Sequence, residues 1–171
     1  MKKTEFALES FKNIQELIKF VEQKSGAVLV IAGLIFTGYI EFLKNLEFSE
    51  ISSISLFGVI VFLSSISTAI SLMLLIHKSI FKVLKPRLAK NYQGNEISLM
   101  YYEHLCCIDR DEIYSKYENL TEKKILKDII GQQHEIAKIL SEKILELGKT
   151  FNYLFISLFS VIIFIINTFQ L

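Results

Sequence analysis

Residues 51–76 read ISSISLFGVIVFLSSISTAISLMLLI, 26 positions without a formal charge between Glu50 and His77. About 20 such residues carry a helix across a hydrocarbon core of about 30 Å, so the stretch reads as a transmembrane helix. Toward the C-terminus, residues 150–171 follow Lys149 without a charged side chain, and Tyr153 stands where an aromatic belt belongs. Toward the N-terminus, Lys24 and Glu41 bracket 16 uncharged residues, 25–40, which reach spanning length once Glu41 lies at the interface and Phe42 and Leu43 are counted in. The expectation is three spans, at 25–43, 51–77 and 150–171. A cleaved signal peptide is the competing reading of the first, but no small-residue cleavage site follows it, and a charged amphipathic segment, residues 1–24, precedes it.

Composition agrees with this reading. The chain has 171 residues, enough for one domain or for a small domain with membrane anchors. Half of it is apolar (51%), with 14 Phe, one Pro and a mean hydropathy of +0.41, which excludes a disordered protein. A net charge of +1 excludes a strongly basic nucleic-acid binder. Cys106 and Cys107 are adjacent, so they build no disulfide framework; they read as buried thiols in a reducing compartment.

Orientation follows from the lysines. The short hairpin around residues 44–50 sets Lys44 against Glu41, Glu47 and Glu50, whereas the other flanks hold Lys12, Lys19 and Lys24, then Lys78, Lys82, Lys85, Arg87 and Lys90. Cytoplasmic flanks collect Lys and Arg, so the hairpin is expected outside, with residues 1–24 and 78–149 in the cytoplasm. The topology is N-in, C-out, in an all-α membrane protein.

The cytoplasmic part also reads as helix. Phe11, Ile14, Ile18 and Val21 recur every three or four residues, an amphipathic face leading into the first span, either packed on the cytoplasmic part, laid in the headgroups or serving as a gating element. Pro86 ends a basic extension, and Asn91 with Gly94-Asn95 marks a turn. A short helix is expected from Glu96 to about Cys107. Asp109 and Glu112 have the form of a capping box opening a second short helix, and Thr121 offers a further N-cap. From there Ile125, Ile129, Ile136, Leu140, Ile144, Leu147, Phe151 and Leu154 mark one long helix feeding the last span, a stalk with Gly131 and Gly148 as hinge positions; at about 1.5 Å per residue it far exceeds a bilayer.

A search for catalytic chemistry finds no nucleophile with its base, no paired carboxylates, no zinc motif and no phosphate-cradling glycine loop. The chain is expected not to be an enzyme, with no metal and no cofactor. His104 and Cys107, three apart, read as a satisfied histidine beside a buried thiol, and His134-Glu135 as solvated helix surface. Ser64, Thr68 and Ser71 share a face of the second span, to line a water path between associated chains or to back-bond and pack. Gly33 and Gly38, with Ala32, read as close helix contacts. Lys78, Lys82, Lys85 and Arg87 form a basic collar that topology alone explains, or that helps to hold an anionic ligand, with Tyr101 and Tyr102 as stacking surfaces.

Several stretches, by their order and spacing, resemble the transmembrane effectors of the bacterial Pycsar antiphage systems (PycTM). They are Phe20-Val21-Glu22-Gln23-Lys24-Ser25-Gly26 before the first span, Pro86-Arg87 after the second, and Ser98-Leu99-Met100-Tyr101-Tyr102-Glu103-His104 with Tyr114 after Asp111-Glu112. Asp128-Ile129-Ile130-Gly131-Gln132, Ala137 and Lys143 follow on the long helix. The chain departs from the pattern in having Glu22 for an aspartate and Ser25 for an alanine, and in lacking a Phe-Gly pair. The resemblance implies a multi-pass protein of the bacterial inner membrane with its soluble part cytoplasmic. It implies an effector, functionally linked to a pyrimidine nucleotide cyclase, that binds cyclic CMP or cyclic UMP, acts as a homo-oligomer in the lipid bilayer and impairs membrane integrity, with no nucleic-acid partner. Residue matching points to Lys24, Tyr102, Asp128, Gln132 and Lys143. A cyclic phosphate wants a cation such as Lys143 or Arg87, and a pyrimidine edge an amide or carboxylate such as Gln132 or Asp128. Ligand residues are thus Arg87, Tyr102, Asp128, Gln132 and Lys143; gating residues are Lys24, Ser64, Thr68 and Ser71. The alternative is a membrane scaffold or channel-like protein controlled by a protein partner.

Overall fold

A computed structural model describes residues 3–44, 56–87 and 98–169. The expected hairpin beyond Lys44, the Asn91 and Gly94-Asn95 turn, Lys90 and the expected helix start at Glu96 lie outside the described residues. Among the described residues the elements are all helical: α1 (Lys3–Lys44), α2 (Leu56–Lys78), a π-helical segment (Ser79–Leu84), α3 (Tyr102–Cys106), α4 (Arg110–Glu118) and α5 (Glu122–Thr168). Three helices are long and apolar enough to cross a membrane: α1, α2 with its π extension, and α5.

The chain divides into two compact units. One comprises Met1–Phe20 and Pro86–Glu142, the other Val21–Lys85 and Lys143–Leu171. Helices α1 and α5 each contribute to both.

In the second unit, the apolar one, the inward face of α1 steps through Val21, Ser25, Val28, Ala32, Ile35 and Tyr39 in alternating fours and threes, the 3.5-residue period of a coiled-coil seam. That of α5 steps likewise through Lys143, Leu147, Thr150, Leu154, Ser157, Val161 and Phe164. Val28, Ala32, Leu75 and Leu154 form one core cluster, and Tyr39, Val61, Leu72 and Phe164 another. Tyr39 meets the Phe164 ring edge-on at 5.4 Å and donates to the Ser65 carbonyl at 2.9 Å. Leu34, Phe62, Phe155 and Phe159 point outward. Large apolar side chains outside, and small and hydroxyl residues interspersed with apolar ones in the seam, suit helices that associate in lipid by close packing and interhelical hydrogen bonds.

The π segment sets the phase at the end of α2. Its inward positions run Val61, half-buried Ser65, Thr68, Leu72, Leu75 and Ser79, so the alternation would next bring Lys82 inward. The wide π turn, closed by Lys85 N–H donating to the Ile80 carbonyl at 2.9 Å, absorbs one extra residue. Val83 takes the inner position and Lys82 stays outside.

Local expectations are corrected in four places. The short helix begins at Tyr102, because Ser98 N–H donates to His104 Nδ1 at 3.0 Å and Ser98 Oγ accepts from Met100 N–H, tying residues 98–100 into a turn. Cys106 and Cys107, at the end of that five-residue helix, are exposed, not buried. Gly33 and Gly38 are not close contacts within the chain: a Cβ added at either meets nothing within 4 Å. On α5, Ile144 and Phe151 lie off the buried face, and Lys143 and Thr150 take their places. Elsewhere the N-caps fall at the expected residues: Asp109 Oδ1 accepts from Arg110 N–H at 2.8 Å and Thr121 Oγ1 from Lys124 N–H at 3.4 Å, while Glu112, expected to complete a capping box, pairs with Lys116 at 3.3 Å instead.

Candidate functional site

In the apolar unit the seam ends in a charge. Lys143 is 2% exposed, and its ammonium donates to Glu22 Oε1 at 2.8 Å and to the Val83 carbonyl at 2.6 Å. That carbonyl belongs to the last turn of the π segment, where helical carbonyls lack intrahelical donors and a cation complements the helix dipole. One side chain on α5 thus fastens α1 and the end of α2. Beside it, Glu146 accepts from Lys149 at 2.6 Å. That contact holds its carboxyl below the usual range against the opposing effect of burial, with Lys78 and Lys82 adding attraction. The basic collar therefore has a built-in counter-ion, and Lys78 also lies 5.8 Å over the Tyr153 ring.

Hydroxyls continue along the seam. Ser64 donates to Val61 O and Ser71 to Thr68 O, each at 2.9 Å; Thr68 shares its hydroxyl between Ser64 O at 2.9 Å and Ser160 O of α5 at 3.1 Å. Thr68 and Ser71 are buried inside one chain. Ser25, Ser79 and Ser157 are wholly buried, and their hydroxyls have no hydrogen-bond partner among the described residues. Lys24, one residue before Ser25, is exposed on α1.

The other unit holds the remaining candidates. Arg87 forms an ion pair with Glu142. Gln132 is 6% exposed, and its amide Nε2 has no hydrogen-bond partner among the described residues. Asp128, half-buried, lies one turn before it. Gln133 Nε2 donates to Ser10 Oγ at 2.7 Å, and Thr4 Oγ1 to Glu122 Oε1 at 3.5 Å, so the start of α1 is held to the start of α5. Tyr101 is buried and Tyr102 exposed; both hydroxyls donate to Glu103, at 2.8 and 3.1 Å. Burial first, then that acceptor, pushes the Tyr101 phenol up to about 12. The Glu103 bond raises Tyr102 as well. The Tyr101 ring packs on Tyr102 and edge-on against His104, with centroids 5.6 and 5.1 Å apart.

The structure thus brings Thr68 onto Ser64 and Ser71, and sets Gln132 one turn from Asp128 on α5. Arg87, Tyr102, Asp128 and Gln132 fall in one unit; Lys143, Lys24, Ser64, Thr68 and Ser71 fall in the other. Glu135, expected as solvated surface, is buried and paired with Lys138 at 3.1 Å. The sequence reading missed Glu22, Glu146 and the carbonyl of Val83 as partners. Glu146 was visible as a carboxylate three residues from Lys149; Glu22 is far from Lys143 in sequence, and the Val83 carbonyl depends on the π turn and has no signal in side-chain type.

The described fold is that of a helical protein with three helices able to cross a membrane and a buried polar seam between them. The chain belongs to the PycTM family: residues 6–169 match the Pycsar effector protein domain. The Pycsar effector protein TpPycTM of Treponema porcinum is 32% identical over 82 residues, 48% of this chain and 70% of that protein. No solved structure matches. Family membership places the chain among the effectors of antiphage defence.

Proposed function

We propose that this chain is a non-enzymatic effector of the bacterial inner membrane, oriented N-in and C-out, that binds a cyclic pyrimidine nucleotide on its cytoplasmic helices and, as a homo-oligomer, impairs membrane integrity. A pyrimidine nucleotide cyclase supplies the signal. The observation that carries the reading is Gln132, whose amide is buried without a partner in the unit that also holds Arg87, Asp128 and Tyr102. A buried amide donor is costly unless an acceptor reaches it, and pyrimidines offer ring carbonyls. A carboxylate one turn away, Asp128, would accept from the ring or amino N–H of the base. Tyr102 would offer an exposed ring for stacking. Arg87 would exchange the Glu142 carboxylate for the cyclic phosphate, a charge-assisted contact.

Isothermal titration of the detergent-purified full chain with cyclic CMP, cyclic UMP and the cyclic purine nucleotides tests this. Saturable binding of one pyrimidine, weakened at least about tenfold by Gln132→Ala, with no heat from the purines, supports it. Silence from both pyrimidines on folded protein removes the nucleotide and leaves control by a protein partner.

A further inference from the structure

We infer that the permeation path lies within each copy of the chain in the oligomer and not between copies, along the seam of its own three apolar helices, where Ser25, Ser79, Ser157, Thr68 and Ser71 line it and two dry layers close it at rest. The inference rests on the membrane-impairing reading above and gives that activity a location.

The unit formed by Val21–Lys85 and Lys143–Leu171 is apolar outside, and its buried interior alternates apolar layers with hydroxyl-bearing side chains. A serine inside a helix ordinarily satisfies its hydroxyl on a carbonyl three or four residues back, as Ser64, Thr68, Ser71 and Thr150 do here. Ser25, Ser79 and Ser157, one from each helical strand of the seam, do not, although none is exposed to solvent. An unpaired hydroxyl kept from water is costly, and the cost disappears when water reaches it. The closed seam therefore carries three groups that gain on hydration, in a place where apolar side chains would gain nothing.

Register puts two of them at one level. The Lys143 clamp joins Glu22 and Val83 at one end, and the cluster of Val28, Ala32, Leu75 and Leu154 lies further in. Ser25 is three residues past Glu22 and three before Val28; Ser79 is four past Leu75 and four before Val83. Both hydroxyls accordingly lie between the clamp and the first dry layer. Ser157 lies three residues past Leu154 and seven before Phe164, between the two layers, whereas Thr68 lies between Leu72 and Val61, within the Tyr39, Val61, Leu72 and Phe164 cluster that closes the far part. Polar levels separated by apolar constrictions form a gate that closes by dewetting. A ligand that separates the three helices slightly would wet the hydroxyls and open a path wide enough for small ions, and too narrow for a dye.

The test uses the full chain in phosphatidylethanolamine–phosphatidylglycerol vesicles, with potassium efflux and retained calcein as readouts. Wild type with its cyclic pyrimidine nucleotide should release potassium and hold calcein. The triple variant Ser25→Ala, Ser79→Ala, Ser157→Ala should bind the nucleotide as wild type does and leak at least about tenfold less. Leu75→Asn, placing an amide in the first dry layer, should leak without nucleotide. Leu34→Asn, the same change at a position 70% exposed on the outer face, should stay tight; Leu154→Asn replaces Leu75→Asn if the latter fails to insert. A triple variant that leaks like wild type, tight dry-layer variants, calcein lost together with potassium, or a Leu34→Asn leak equal to that of Leu75→Asn each overturns the inference. Wild type tight with every nucleotide while Leu75→Asn alone leaks leaves the path standing and removes the nucleotide reading.

Discussion

Lys143 keeps an ammonium almost out of solvent by donating hydrogen bonds to Glu22 and to the Val83 carbonyl. The two partners are unequal. Glu22 is 40% exposed and can turn back to water, whereas the Val83 carbonyl lies beneath a fully buried residue at a helix end. Lys143→Ala should therefore cost roughly 2–4 kcal/mol, combining a cavity with an orphaned carbonyl. Glu22→Gln retains an acceptor for the ammonium and should cost about 1 kcal/mol. Thermal unfolding of the two variants in one detergent checks the order; equal losses would mean that the contact with Val83 is not made. The sequence singled out Lys143 as a cation and Glu22 as a departure from a pattern. Their pairing was illegible because 121 positions separate them, and nothing in either side chain announces the other.

At the scale of elements, the charge-free stretches made all three apolar helices legible, and the starts of α4 and α5 followed from single residues, Asp109 and Thr121. The face of α5 was harder to read. Apolar spacing selected Ile144 and Phe151, yet in lipid an apolar residue is as well placed outside as in, so hydrophobicity no longer marks the interior. The polar and small residues mark it, and Lys143, Thr150 and Ser157 keep the seam's step of threes and fours. Leu147→Ala should thus destabilise by roughly 2–4 kcal/mol, and Ile144→Ala, at a position 51% exposed, by less than about 1 kcal/mol. Denaturation of the two proteins in mixed micelles decides it, and a larger loss at Ile144 would restore the sequence-derived face. The short helix α3 fell outside such reasoning because a histidine side chain, not propensity, fixes the turn before it.

Taken as a whole chain, the distribution of Lys and Arg around three apolar helices predicts one topology. Alkaline phosphatase fused after Leu171 should be active in a bacterial host, and the same enzyme fused after Asn119, between α4 and α5, should be inactive; the reverse pattern would invert the orientation. Four of the candidate residues named from sequence share one unit, while the partnerships that give the other unit its polar interior became visible only with the helices side by side. The π segment between Ser79 and Leu84 bears on the history of such chains. A π turn is a helix carrying one residue more than its hydrogen-bond ladder needs, so a homologue one residue shorter there can revert to plain α-helix with every seam position still in step. The same deletion between Val61 and Leu75 would rotate the rest of α2 by about 100° and swap its seam for its outer face. Loss of one residue is thus expected to be borne at the π-helical end of α2 and not along its middle.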